Sequence, residues 1–337
     1  MNKQKEEIFD NNEYKYEEMK RNNAGNILEL SNDITNKYIP SFEYDKTLNG
    51  HSKNIFCILC AYLNDRDEED LIVVSGSEDA TVKIFDIEKG ECKFTTIKHE
   101  NNENNWITGI SISKINNNIK LIGAVAIKSN KINLYNTINN NERNKNEINP
   151  IKTIENNNCD GIIAISFVSN NEKILILDAK KENNYYNFHV KLYDTGTSNL
   201  ISTMKSIHQS NVSYANNNHI IPSHNNNLSI SSICYNNNII KINDLRSNEL
   251  IHNIQNNNKN HLWDIKLISN DNYIISTSNN KLNIFNYYNN QLIHSITNNN
   301  NNNDFYCISV SPYSQYIASF HQEALFSAKS YLKIFTF

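Results

Sequence analysis

One short pattern recurs down this chain, and it limits the possible folds more than any other feature. TVKIFDIEKGEC begins at Thr81, KINLYNTINN at Lys131, HVKLYDTGTSNL at His189, IIKINDLRSNEL at Ile239, KLNIFNYYNNQL at Lys281 and YLKIFTF at Tyr331. Each copy alternates apolar and polar side chains, the period of a strand with two distinct faces. Most copies then add an Asp or Asn and a polar turn. Two more strand-like runs precede a copy: NIFCILCAYL and LIVVSGSED before Thr81, LWDIKLIS and YIISTSN before Lys281, FYCISVSP and YIASF before Tyr331. A fourth run follows most copies, as CKFTTI, PIKTI, LISTMK, LIHNI or QLIHSI. Few stretches are long enough for a helix, so the chain reads as all-β.

Four strands repeated every 40–60 residues describe the blades of a β-propeller with loop insertions. The expected fold is a single propeller of six to seven four-stranded blades. Six copies are clear, and a seventh blade is sought in residues 27–44 or in the long fourth repeat, residues 212–254. The last copy has no fourth strand after it. Residues 42–48 (FEYDKTL) are expected to fill that place from the N-terminal side, removing two open sheet edges. Residues 1–35 are charged, polar and weakly periodic, and read as a flexible or partly helical tail. Residues 36–337 form the propeller with Asn-rich loop insertions.

Asparagine supplies about one residue in five, in runs such as residues 216–218, 236–238 and 298–303. The runs alternate with short apolar segments. They therefore read as filled surface loops and not as one self-associating block. Asn tolerates the left-handed backbone conformation and closes turns with its own side chain. With only 8 Gly and 4 Pro, Asn is the expected turn former. The formal net charge of -4 gives no reason to expect nucleic acid or an acidic membrane as primary ligand. Six scattered cysteines fit a reducing compartment. The N-terminus has no apolar signal region, and no apolar run approaches the ~20 residues needed to span a bilayer. The expectation is a soluble intracellular protein of the cytoplasm, the nucleus or both.

Residues 50–86 read Gly50-His51, a strand, VSGSED, then ATVKIFDIEKGE. This segment resembles the WD-repeat family. Members carry a GH before the first strand, a Ser or Thr in the second, an Asp in the tight turn and a Trp in the third. By spacing, the resemblance places those roles on His51, Ser75, Asp79 and Phe85, a structural set tying turn to loop. Phe85 lacks the indole N–H donor. Elsewhere Tyr135, Tyr193, Asn243, Phe285 and Phe335 take the Trp position. Ser129, Asn187, Asn237, Asn279 and Lys329 take that of the turn Asp.

Catalytic and metal chemistry finds little support. Cys57 and Cys60 form a CxxC without a second pair, and residues three apart on a strand face opposite ways. The ten histidines show no HxxxH or HxH pairing. No GxSxG, Walker loop or GxGxxG occurs. No cofactor and no metal are expected. The two tryptophans, Trp106 and Trp263, open first strands near the rim or channel and either cap a seam between blades or anchor a partner. Asn243-Asp244-Leu245-Arg246 is similar to the WDxR element by which some WD-repeat proteins engage the cullin-4 ubiquitin-ligase adaptor. The expected function is a non-catalytic protein-interaction scaffold, an adaptor or core subunit of a multiprotein complex. A ubiquitin-ligase substrate receptor using Arg246 is the alternative, and a propeller enzyme a remote one. Partners are expected to be proteins, met on a propeller face. No small-molecule substrate or membrane is expected, and nucleic acid only indirectly.

Overall fold

The computed structural model describes residues 48–62, 71–87, 89–96, 99, 105–115, 118–136, 147–168, 172–210, 219–223, 227–232, 239–255, 262–268, 273–278, 281–297, 304–310, 316–322 and 330–336. Among these there is no helix, and the strands fall into six antiparallel sheets taken in chain order. Blade 1 holds β1 (Ile55–Tyr62), β2 (Leu71–Ser77), β3 (Val82–Asp86) and β4 (Glu91–Thr96). Blade 2 holds β5 (Ile107–Ile115), β6 (Asn118–Ala126), β7 (Lys131–Asn136) and β9 (Lys152–Glu155). Between its last two strands, β8 (Glu147–Ile148) leaves to pair in parallel with the outer edge of β4. Blade 3 is β10 (Gly161–Val168), β11 (Lys173–Glu182), β12 (Tyr185–Asp194) and β13 (Leu200–Ser210). Blade 4 is β14 (His219–Pro222), β15 (Leu228–Ser232), β16 (Ile239–Asp244) and β17 (Leu250–Gln255). Blade 5 is β18 (Leu262–Leu267), β19 (Tyr273–Ser278), β20 (Lys281–Asn286) and β21 (Gln291–Thr297). Blade 6 has three described strands, β22 (Asp304–Val310), β23 (Tyr316–Gln322) and β24 (Ser330–Thr336).

The first strands touch one another in the order β1, β5, β10, β14, β18, β22, so the sheets fan out from a common axis. This is the β-propeller architecture expected from the repeats. Both faces of the middle strands in blades 2 to 5 are apolar because each of these blades is covered by a neighbour on either side. Val74, Ala124, Leu175, Ile230 and Ile275 are fully buried within five successive second strands. Register repeats as well: Phe85, Tyr135, Tyr193, Asn243 and Phe285 occupy equivalent third-strand sites and are all buried. The described part of residues 212–254 forms one four-stranded sheet, with no extra blade among the described residues. The tail, residues 1–35, the site sought in residues 27–44 and all but the last residue of the closing segment 42–48 lie outside the described residues.

The turns after the third strands explain how so few glycines suffice. Asp86, Asp194, Asp244 and Asn286 end their strands and accept a hydrogen bond from the N–H three residues on, at Lys89, Thr197, Ser247 and Asn289. One residue later the chain turns left-handed, at Gly90 (φ 70°), Ser198 (65°), Asn248 (61°) and Asn290 (56°). Asn substitutes for Gly twice in this set. Ala80 (φ 65°) does the same in the turn between β2 and β3. The hairpin of blade 3 corrects one expectation. Its turn falls at Asn183 and Asn184, and Asn187 lies within β12, paired with Lys180. Backbone pairing continues past the point where the alternation reads as a turn. Asn237, Asn279, Lys329 and the side chain of Phe335 lie outside the described residues.

An L-residue held left-handed is strained by about 1 kcal/mol, which glycine relieves. Ser198→Gly and Ala80→Gly should each raise the unfolding free energy by about that much in urea denaturation. Asn248→Val should lower it by about 1–2 kcal/mol.

Candidate functional site

Blade 1 brings the four matched residues together. The loop before β1 sets His51 against the turn after β2, with its side chain 3% exposed. Its Nδ1 lies 2.9 Å from Asp79 Oδ2, and its Nε2 lies 2.8 Å from Ser75 Oγ. A carboxylate only accepts, so Nδ1–H donates to Asp79, and in the neutral ring Nε2 accepts from the Ser75 hydroxyl. Asp79 also accepts from Ser52 N at 3.1 Å, Thr81 N at 3.0 Å and Thr81 Oγ1 at 2.6 Å. Phe85 meets the imidazole edge-on, with ring centroids 6.4 Å apart. Gly50 admits this approach, because a Cβ there would sit 3.3 Å from the Phe85 ring. Ser75, His51 and Asp79 thus share the connectivity of a hydrolytic triad. Yet Ser75 is 1% exposed within β2, so no substrate carbonyl can reach its oxygen. Burial alone would push the Asp79 carboxyl up, but the donors from Thr81, His51 and Ser52 overcome it and hold the group at about 2.

The other singled-out residues divide between two places. The first strands of blades 1 to 5 enclose a cavity of about 700 Å³, whose lining includes Ile55, Phe56, Ile58, His219, Trp263 and Lys266. Trp106 stacks on Phe56 across the seam between blades 1 and 2, with centroids 5.3 Å apart and planes at 20°. Trp263 sits on β18, where its carbonyl lies 3.3 Å from His219 Nε2. Asp264, buried beside it, accepts from Ile308 N at 2.9 Å and pairs with Lys266 Nζ at 3.1 Å and His219 Nε2 at 3.3 Å. Burial nevertheless holds the His219 imidazole below its usual range, against the pull of Asp264. Arg246 stands apart, in a groove of about 250 Å³ between blades 4 and 5 that Ile251, His252 and Tyr288 also line. Its guanidinium donates to Asp244 through Nε (3.3 Å) and Nη2 (3.0 Å), holding that carboxyl near 2. Cys57 and Cys60 do not converge: Cys60 is exposed, while Cys57 lies 3.7 Å from Ile107 O and burial pushes its thiol to about 12. Among the described residues no cluster of three His, Cys, Asp or Glu could hold a metal ion.

Residues 42–86 match the family described as WD domain, G-beta repeat. That segment is a WD repeat, and the blades that follow it share its architecture. No curated protein matches the chain. WD repeats indicate a protein-interaction propeller scaffold, and the family is typically non-catalytic. No helix among the described residues is long and apolar enough to cross a membrane.

Beyond blade 1 the WD hydrogen bonds are rebuilt from other side chains. In blade 2, Ser129 stands in for the turn Asp and accepts from Lys131 N at 3.1 Å. In blade 3, the polar tie moves into the strand. Asp178 is fully buried on β11 and takes Asn156 Nδ2 at 2.6 Å, Lys191 Nζ at 2.5 Å and His189 Nδ1 at 3.3 Å. Burial opposes its ionisation, and the His189 and Lys191 contacts reverse that and hold its carboxyl low. Burial and the Asp178 charge in turn push the Cys159 thiol to about 12. The sequence signal for this cluster was a single acid inside the apolar run KILILDA, and for Asp264 the acid following Trp263.

A carboxyl whose folded pKa is depressed stabilises the fold above its unfolded pKa. The Asp79 contribution should therefore be complete above about pH 4 and disappear as pH falls toward 2, about 2 kcal/mol in all. Asp79→Asn should flatten the stability profile across that interval. His51→Ala, which strips a donor from a buried carboxylate, should cost about 2–3 kcal/mol at pH 7.

Proposed function

We propose that this protein is a non-catalytic scaffold, an adaptor or core subunit of a multiprotein complex that holds partner segments on its propeller surfaces. The observation that carries this reading is the wall of the central cavity. Ile55 and Ile58 stand there 51% and 60% exposed, beside the Phe56–Trp106 stack and Trp263. A rigid concave surface with exposed aliphatic and aromatic side chains suits anchoring of a partner's apolar residue. The titratable groups at that wall are already engaged, since His219 and Lys266 both face Asp264, which also binds the next blade. An acid or base spent in this way is poorly placed to serve a propeller enzyme.

A second reading rests on Arg246, whose side chain is 72% exposed at a turn on the blade 4 rim. There it would meet a ubiquitin-ligase adaptor. Native purification from cells followed by mass spectrometry separates the two. The scaffold reading expects a stable, near-stoichiometric protein complex that is weakened by Ile55→Asp with Ile58→Asp. Recovery of a cullin scaffold that is lost on Arg246→Ala would replace it with the receptor reading. A monomeric, partner-free protein at native abundance would end both.

A further inference from the structure

The outer strands carry a second repeat, independent of the buried one. In blades 1, 3, 4 and 5 the pairing of the third strand with the fourth skips one residue. In blade 1 the skipped residue is Lys93, between Cys92 and Phe94. In blades 3, 4 and 5 it is Ile201, Ile251 and Ile293. In blade 2, Lys152 pairs with Leu134, which places Ile151 at the same station. These four isoleucines are 59%, 46%, 42% and 50% exposed in chain order. Leu200, Leu292 and Tyr288 beside them are also about half exposed.

A lone exposed isoleucine needs no explanation. The same residue at that bulge in blades 3 to 5, and at the matching position in blade 2, does, because open sheet edges are normally blunted by charge, above all by lysine. Blade 1 follows that rule with Lys93, and its edge is also the one that carries a fifth strand among the described residues. The blades with aliphatic stations lack such a cover within the described residues.

We propose that the outer rim of blades 3 to 5 docks an extended, uncharged aliphatic segment of a partner protein, lying across Ile201, Ile251 and Ile293. The inference rests on the scaffold reading and assigns it a second surface, away from the central cavity. Three observations select this occupant. The chain itself supplies a precedent. Residues 147–148 pair with the edge of β4 and residue 152 is already in β9 of the next blade, so a short extended stretch crosses one seam at the rim. Ile148 of that stretch is 3% exposed, packed into the core of blades 1 and 2. The charges along this rim balance in pairs, Lys205 with Glu249 and Arg246 with Asp244, so it presents no net charge for a charged peptide to complement. Finally, blades that fan out from an axis present a convex rim. A rigid second copy would meet one station, whereas an extended segment follows three. Crossing two seams at the pace of residues 147–152 needs about ten residues at ~3.3 Å each.

The test uses the full chain and a fluorescent, end-capped ten-residue peptide alternating isoleucine and threonine. The comparison protein is Ile201→Ser/Ile251→Ser/Ile293→Ser, whose exposed sites leave the thermal transition essentially unmoved. We expect the triple variant to bind at least tenfold more weakly. We also expect hydrogen-exchange protection to fall on β13, β17 and β21, and a peptide with glutamate for threonine to bind at least tenfold more weakly. Absence of binding, equal binding to the variant, or protection confined to the first strands would overturn the proposal. So would a sedimenting dimer that the triple variant abolishes, since it would give the rim to a second copy. If the protein co-purifies with partners that the triple variant retains in full, the rim proposal fails while the scaffold reading stands.

Discussion

A carboxylate buried in an aliphatic seam must be answered by donors, and Asp264 is answered from three blades at once. His219 reaches it from β14, Lys266 from its own β18, and the Ile308 N–H from β22. Aliphatic packing between blades is strong but weakly directional, because Ile, Leu and Val fit many registers. A buried acid is different: removing one of its partners strands a charge in a low dielectric, at a cost of several kcal/mol. Asp178 plays the same part between blades 2 and 3, where Asn156 from the preceding blade meets Lys191 and His189. His208 and Ser231 link blades 3 and 4 at 3.0 Å. Such contacts fix how each sheet sits on the next. The family's own network within blade 1 is one case of a more general device in this chain.

That arrangement bears on function through rigidity. Polar side chains committed to structural hydrogen bonds are poorly placed for chemistry, as the 1% exposure of Ser75 within blade 1 illustrates despite its triad-like partners. Among the described residues the fold also leaves aliphatic side chains exposed: the cavity wall around Ile55 and Ile58, and the rim stations from Ile151 to Ile293. A rigid frame with exposed aliphatic surface binds by shape and burial. The two surfaces lie at opposite ends of each blade, one on first strands and one on fourth strands, so they can be occupied independently.

The blades were legible in the sequence because the third strands alternate and most are followed by an Asp or Asn. Phe85, Tyr135, Tyr193 and Phe285 align by register as they do by spacing. The expectation that Asn forms turns held where φ is positive at Asn248 and Asn290. Other features left no local trace. β8 is two residues within an Asn-rich insertion, and only the long-range partner β4 makes it a strand. Asn187 read as a turn residue, but cross-strand pairing with Lys180 extends the hairpin beyond it. The polar clusters at Asp178 and Asp264 draw on residues from neighbouring blades, up to 44 positions apart in the case of Asp264 and Ile308. Pattern reading along one strand does not see such partners.

The central claim is that buried polar groups lock neighbouring blades to one another, and hydrogen exchange on Asp264→Ala tests it most directly. The account predicts faster exchange in β14, β18 and β22 together, with β1 to β4 unchanged, because one side chain serves three adjacent sheets. Acceleration confined to β18, or none at all, would contradict it.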